Sequence, residues 1–572
     1  MHALAIARRA RSSAARCSGG RTLSAAAAAA PATAAAPAAP RAAAPAPPAT
    51  AVLPAAARAA GRLLVWGSAD GGALGMRLAE LPGARPSVES PVLQGEHWSR
   101  AHGGVVQVVC RAQRTLALCA DGAVFSWGSC KNLSLGHGDK VERALFPRRL
   151  EALDGIRIVA LDAAETSCAA VSDEGELFTW GWGGSYWGGS GGLGHGDTAT
   201  QPRPAIVEAL QGVRVASVSV GAQHMLALSA EGRAYSWGHG EFGRLGNGKG
   251  VQPKPEPVQL LDDLRAQAEA KAAGAAAGAA AGGGGRVVQV AAGHTHSLAV
   301  LADGRLLAWG KNEASQLGLG GALVMDLNTS EAYPTLVELE AAAGEDAEGA
   351  GAAAARFNGR VARVAAGNNH TVCLTRDGDV FQWGGRLFIQ PTHIPRATIS
   401  AKALAADAAE HRSAPAATAA AAGAGSDAAA TAATASATPK GTVALRGAEI
   451  AAGEGSSAVI DADGRLFVWG KFLSQGVLGE ACARSRARAR CLVSPTPLSH
   501  SLSLSGPRLT ARPHREPSAG LGGQLGMLPR LGVRQPTCVE RLLSAEAGPV
   551  RVAKVSLGQS HAAAITGLPS TL

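Results

Sequence analysis

Residues 287–310 read VVQVAAGHTHSLAVLADGRLLAWG, and this stretch decides the fold. Two short apolar runs, VVQVAA and HSLAVL, are followed by Asp303-Gly304 and a third run ending at Trp309. An acidic residue followed by glycine between apolar runs marks a tight hairpin, because glycine accepts positive φ. Period-two alternation in Arg305–Trp309 sets Leu307 and Trp309 on one face and Ala308 on the other.

The unit recurs. Trp-Gly occurs at Trp66, Trp127, Trp180, Trp237, Trp309, Trp383 and Trp469, each with a glycine five residues earlier: Gly61, Gly122, Gly175, Gly232, Gly304, Gly378 and Gly464. All but Gly61 follow Asp or Glu. A second strand pair precedes the turn, as in VARVAAGNNHTVCLTRDG (361–378), and Leu-Gly follows the tryptophan by eight residues at Leu74, Leu135, Leu245 and Leu317. Next comes a proline-bearing run, with Pro91, Pro147, Pro204, Pro257, Pro334, Pro391 and Pro536. Proline lacks an N–H, so it suits an outer edge strand. Each unit is therefore read as four short antiparallel strands, the content of one propeller blade.

The chain ends explain how such a ring closes. The first copy begins midway, at Gly61-Arg-Leu-Leu-Val-Trp, without an inner strand pair. The last segment, VRVAKVSLGQSHAAAIT (550–566), is an inner pair without an outer one. The expected fold is all-β: a seven-bladed β-propeller of four-stranded antiparallel blades over 61–567, whose N- and C-terminal strands share one blade and leave no open edge.

Outside the ring, residues 1–69 carry eight arginines, no lysine and no acid. Met1–Ser24 has the composition of a mitochondrial presequence, a cationic amphipathic segment, with a plastid address as the alternative. Residues 25–60 are rich in alanine and proline and read as an extended linker. The prolines exclude a transmembrane helix there. Ala/Gly-rich insertions at 265–285, 340–355 and 401–441 read as irregular excursions between strands, and 568–572 as a tail.

Segment 477–524 reads differently. It has seven arginines, two glutamates, no aromatic residue and a Ser-Leu repeat. Removing its 48 residues joins Gly476 to Leu525, giving WGKFLSQG-LGMLPRLG, and sets Leu525 eight residues after Trp469, the register of the other copies. Valine codons begin with GT and glutamine can be encoded CAG, the boundary letters of an intron. The segment is read as a translated intron.

The formal charge of +10 suggests a nucleic-acid or membrane binder. Taking away +8 for 1–69 and +5 for 477–524 leaves −3 for the remainder. The folded part lacks a global basic footprint, so generic nucleic-acid binding is not expected. Nine scattered cysteines (Cys17, Cys110, Cys119, Cys130, Cys168, Cys373, Cys482, Cys491 and Cys538) form no C-x-x-C pair. Neither a metal site nor a disulfide framework is expected, and the thiols read as small core or loop residues. There is no P-loop, nucleophile elbow or H-E-x-x-H. No catalytic, cofactor-binding or metal-ligating residue is assigned, and the chain is read as a non-enzyme.

With G-x-x-H in the inner strand pair (Gly221–His224, Gly293–His296, Gly367–His370, Gly558–His561), the repeats resemble the regulator-of-chromosome-condensation family over 61–567. The histidines are expected to bond blade turns. Arg111 and Arg114, Ala164 and Ser167, and Ser456 depart from the pattern. Trp98, Trp182 and Trp187 lie outside it and are expected to pack locally. The resemblance to the family's mitochondrial branch implies an organellar scaffold whose protein partner is a GTPase or a ribosome- or RNA-processing complex. The alternative it implies is guanine-nucleotide exchange on a small Ran-like GTPase, although no segment here matches the founding member's nucleotide-displacing wedge. The family's UV-B photoreceptor needs tryptophans where this chain has Ala222, His294, Asn368, Glu454 and Gln559, so no chromophore can be assembled at those positions.

Overall fold

A computed structural model describes residues 61–567 except 83–86, 95, 131, 140, 185–191, 275–284, 320–329, 340–359, 386–387, 400–441, 471–532 and 540–549. The described strands form seven sheets, six of them four-stranded and antiparallel. In blade five they run Val287–Ala292, His296–Leu301, Leu306–Lys311 and Ser330–Val337, each paired with the next. The Asp303-Gly304 turn joins the second strand to the third, with Gly304 at φ +88°.

The closing blade is built from both ends of the ring. Leu63–Ser68 lies between Ser87–Leu93 and His561–Thr566, with Leu63 opposite Ile565 and Gly67 opposite His561; Val552–Leu557 completes the sheet. All seven repeat tryptophans are at most 2% exposed. Between blades five and six, Leu298, Leu306 and Ala308 meet Val361, Phe381 and Trp383. Each sheet is covered on both faces, which explains second strands buried at every position, such as His296–Leu301 and His370–Thr375.

Blade seven departs from the four-strand expectation. Its outer strand Val533–Cys538 is joined in parallel by Arg396–Thr398, with Thr398 opposite Thr537, and that strand pairs with Thr442–Ala444. The connection from blade six fills the seam: Ala397, Ile399 and Leu445 are buried with Phe467, Trp469 and Cys538. Elsewhere short 3-10 turns supply that apolar filling through Leu153 and Leu210. The insertion expected to run irregularly over 265–285 begins as helix. Gln259–Gly274 is α-helical, anchored by buried Leu261 and by Asp262, which accepts from Arg233 at 2.7 Å. Its Ala, Gln, Glu, Lys and Arg are strong helix formers, and it stops at glycine. Residues 1–60, 340–355, 401–441, 477–524, 568–572 and Trp187 lie outside the described residues.

Candidate functional site

Neighbouring blades meet through side chains, and the G-x-x-H histidines bridge these seams. His561 Nε2 lies 2.8 Å from Thr115 Oγ1, His224 Nε2 2.9 Å from Ser297 Oγ, His296 Nε2 3.2 Å from Thr371 Oγ1, and His370 Nε2 3.1 Å from Ser457 Oγ. Three of these hydroxyls donate onward: Thr115 to the Ala73 carbonyl (3.0 Å), Ser297 to Arg244 (2.7 Å) and Thr371 to Gln316 (2.9 Å). A hydroxyl has one proton, so it accepts from the ring, and each of these three imidazoles carries its hydrogen on Nε2. The preceding glycine is required for space rather than for φ. A Cβ on Gly293 would stand 2.2 Å from His296 Cε1 and 2.7 Å from the next blade's Gly367 carbonyl.

The same carbonyls hold the tryptophans. Trp127, Trp309 and Trp383 donate Nε1–H to Ala73, Arg244 and Gln316 at 2.9–3.0 Å. Those residues immediately precede the leucines of Leu-Gly, which gives that motif its role: it aims one carbonyl at the next blade. In blade three Leu193-Gly194 does the equivalent packing, with Gly194 against Trp237. Extra residues after Trp180 shift it out of register, so spacing alone missed it. Trp98 packs locally as expected, 4.6 Å from the Phe125 ring and bonded to Gln94 at 2.9 Å.

A second set of contacts was not read from the sequence. Arg157, Arg214, Arg286, Arg360, Arg446 and Arg551 each stand immediately before a blade's first strand. Arg157, Arg214, Arg286, Arg446 and Arg551 donate to carbonyls of the preceding blade's turn, for example Arg286 to Ala230 at 2.6 Å and Arg551 to Asp463 at 2.6 Å. The turn glycine lies against the arginine stem, as Gly232 does against Arg286. The signal was an arginine repeating with the blade period. It shows where this charge goes: these five guanidiniums are engaged at turns that carry Asp or Glu.

The candidate site lies on the axis. The turns after the first strands of blades two to seven converge around about 430 Å3 of space open to solvent, edged by Arg111, Glu165, Ala222, His294, Asn368 and Glu454. The structure thus brings together four of the five positions singled out for departing from the photoreceptor pattern. Arg111 donates to the Cys110 and Leu557 carbonyls at 3.0 and 3.2 Å. Partial burial, then the nearby Glu165 charge, holds the Glu454 carboxyl above its usual range against the opposing pull of Arg111 and an Ala112 N–H. Burial also raises Asp162, opposed first by Arg111 and then by the Val220 N–H, which donates at 2.8 Å. The mouth is therefore a mixed-charge ring with an acidic excess, suited to meeting polar side chains of a macromolecular surface. Among the described residues no group of three His, Cys, Asp or Glu side chains has metal-binding geometry. The six described cysteines are buried, and burial raises the Cys119 thiol to about 12 and the Cys168 thiol to about 11.

Comparisons with known proteins agree with this architecture. A family model described as the RCC1-like domain matches residues 62–479. The Arabidopsis thaliana RCC1 domain-containing protein RUG3, mitochondrial, is 31% identical over 333 residues, 57% of this chain and 61% of that protein. The Ultraviolet-B receptor UVR8 of the same plant is 29% identical over 282 residues, 49% of this chain and 53% of the receptor. The human E3 ubiquitin-protein ligase HERC2 is 31% identical over 326 residues, only 6% of its length. The chain thus spans under two thirds of each of these relatives. Among solved structures, Prp20p from Saccharomyces cerevisiae superposes with a TM-score of 0.57 at 17% identity, covering 90% of this chain and 93% of that one. Human WBSCR16 gives 0.54 at 20% identity, covering 88% and 99%. Registered repeats, a ring closed by its own ends and a family match across most of that ring place this chain in the RCC1-like domain family.

Proposed function

We propose that the protein is a non-enzymatic interaction scaffold of an organelle, the mitochondrion, supporting ribosome or RNA maturation or acting on a GTPase. RCC1-like proteins act as interaction scaffolds or exchange factors, and the mitochondrial RUG3 is one relative. The observation that carries the reading is the axial mouth, where turns from six blades present charged and polar side chains at one face. The acid-free, arginine-bearing residues 1–60 support the address, with a plastid as the alternative. Among the described residues no helix is long and apolar enough to cross a membrane.

Full-length tagged protein purified from isolated organelles should retain a defined ribosomal, RNA-processing or GTPase partner, and E165R/E454R should lose it. Nuclear accumulation of the full-length protein would overturn the organellar reading and favour exchange on a Ran-like GTPase, which accelerated nucleotide release would then establish. With the ring near −3, generic RNA should bind weakly at physiological salt, because nonspecific affinity comes largely from phosphate neutralisation.

Segment 477–524 is proposed not to belong to the mature chain. Gly470 pairs with Val533 across 62 residues, whereas the equivalent pairs elsewhere enclose between 3 (Gly384 with Phe388) and 20 (Gly310 with Glu331). Loss of 48 residues leaves 14, within that range. Sequencing the transcript across the junction tests it, and mature message that uniformly retains the segment would refute it.

A further inference from the structure

The outer strand of blade two has a sequence unlike that of any other outer strand. Arg143–Arg149 reads RALFPRR: three arginines, no acid, and adjacent Leu145 and Phe146 that are 48% and 45% exposed. The other outer strands read SVESPVL, QPRPAI, VQPKPEP, SEAYPTLV, FIQPTH and VRQPTC. None of them carries more than one basic residue. The patch continues across the seam into the closing blade. Arg77 places its guanidinium 5.7 Å from the centre of the Phe146 ring, and a Cβ on Gly72 would lie 3.0 Å from Leu145.

The backbone at this edge is poorly disposed to accept an added strand. Pro147 has no N–H, and the pairing with Val124–Ser129 is interrupted between Gly128–Ala144 and Ser126–Arg148. Recognition must therefore come through side chains. Leu145 and Phe146 stand out together at the interruption, with Arg143 on one side and Arg148 and Arg149 on the other. The arginines have acidic neighbours, but only in exposed pairs: Glu151 is 3.9 Å from Arg148, Asp154 3.0 Å from Arg149 and Glu80 4.0 Å from Arg77, with every side chain about half exposed or more. Such exposed pairs contribute little and exchange readily for a partner's carboxylates. Aromatic and arginine side chains contribute most per residue at protein interfaces, and charge complementarity selects the partner.

We infer that the rim of blade two docks an acidic segment of a partner protein, which sets an apolar side chain on Leu145 and Phe146 and carboxylates on Arg143, Arg148 and Arg77. This surface is separate from the axial mouth and stands whether or not the mouth binds the partner proposed above.

The test is selection of a random 16-residue peptide library displayed on phage against the full-length protein, with F146S and R143E/R148E in parallel. All these positions are exposed, and unchanged melting of the variants certifies folding. Selected peptides should combine Asp or Glu with Leu, Phe or Trp, lose at least tenfold in recovery on either variant, and keep it on E165R/E454R. A synthetic copy carrying Lys for each acid should not bind, and affinity of the acidic form should fall with salt. Four outcomes would overturn the proposal: no enrichment, enrichment of basic peptides, recovery indifferent to both variants, or self-association of the protein that F146S abolishes, which would make a second copy the occupant.

Discussion

Between blades five and six, His296 reaches the Thr371 hydroxyl, and Thr371 donates a hydrogen bond to the Gln316 carbonyl that Trp383 also uses. Between blades two and three, Arg114 stands where the histidine would be. It donates to the Ala164 carbonyl, to Glu165 at 2.7 Å and to Ser167 at 3.2 Å. The reason lies across the seam. Blade three has Cys168 where a relay needs Ser or Thr, and Cys168 donates to Ser134 at 3.3 Å. The rule holds around the ring. His561, His224, His296 and His370 face Thr115, Ser297, Thr371 and Ser457, whereas Arg114, Ser167 and Ser456 precede blades with Cys168, Met225 and Ala562. A histidine is present only where the next blade can accept its hydrogen bond. Without an acceptor, a buried N–H would forfeit its hydrogen bond at a cost of about 1–3 kcal/mol.

The most severe way to break a seam is to remove one side of it. Deleting 550–572 takes away Val552–Leu557 and His561–Thr566, leaving Leu63–Ser68 and blade two without their neighbours. The product should be insoluble or protease-labile, as sedimentation and limited proteolysis would show; a soluble product with unchanged melting would mean that the ring closes differently.

R114A comes next. It strips three carbonyls of a donor and opens a void at a side chain only 1% exposed, so thermal or urea unfolding should register a loss of about 3 kcal/mol. R114H alone should recover little of this, because Cys168 is a poor acceptor, and R114H/C168T should recover more.

Acid should weaken the relay seams selectively. Burial lowers the pKa of His296 to about 3 and of His561 to about 4, and that of His224 well below 6.5. The unfolded chain takes up these protons and the folded chain does not, so His296 and His561 contribute their full stability above about pH 6.5 and lose it as pH falls toward 3–4, and His224 acts in the same direction. Urea midpoints between pH 7 and 5 should fall less in H296Q than in the parent. An equal fall would assign acid sensitivity to other groups.

How much of this was legible depended on whether a feature keeps the blade period. The seven Trp-Gly pairs, the acidic-Gly turns and the split blade are local and periodic, so strand content and ring closure could be read directly. The relay was half visible: the histidines were, but the hydroxyl that justifies each one lies 70 to 90 residues away or across the chain ends, as with His296 and Thr371 or His561 and Thr115. Arg157 and its equivalents were periodic yet overlooked, because a charge before a strand looks solvated until its carbonyl partner is placed. Helix Gln259–Gly274 was obscured by composition, since an alanine-rich insertion serves equally as linker or helix. The axial mouth could not be read as a unit, because Arg111, Glu165, His294 and Glu454 share only their place in the turn.

A double-mutant cycle tests most directly whether histidine and hydroxyl act as one unit. H296A, T371A and the double variant would be unfolded in urea beside R114A, C168A and their double. The relay account predicts that His296 and Thr371 couple by about 1 kcal/mol or more, within the range for bonded neighbours. It also predicts that Arg114 and Cys168 couple less, because the shorter bonds of Arg114 go to backbone carbonyls and its contact with the Cys168 thiol is a weak sulfur one. Additive losses at His296 and Thr371, or equal coupling at both seams, would contradict it.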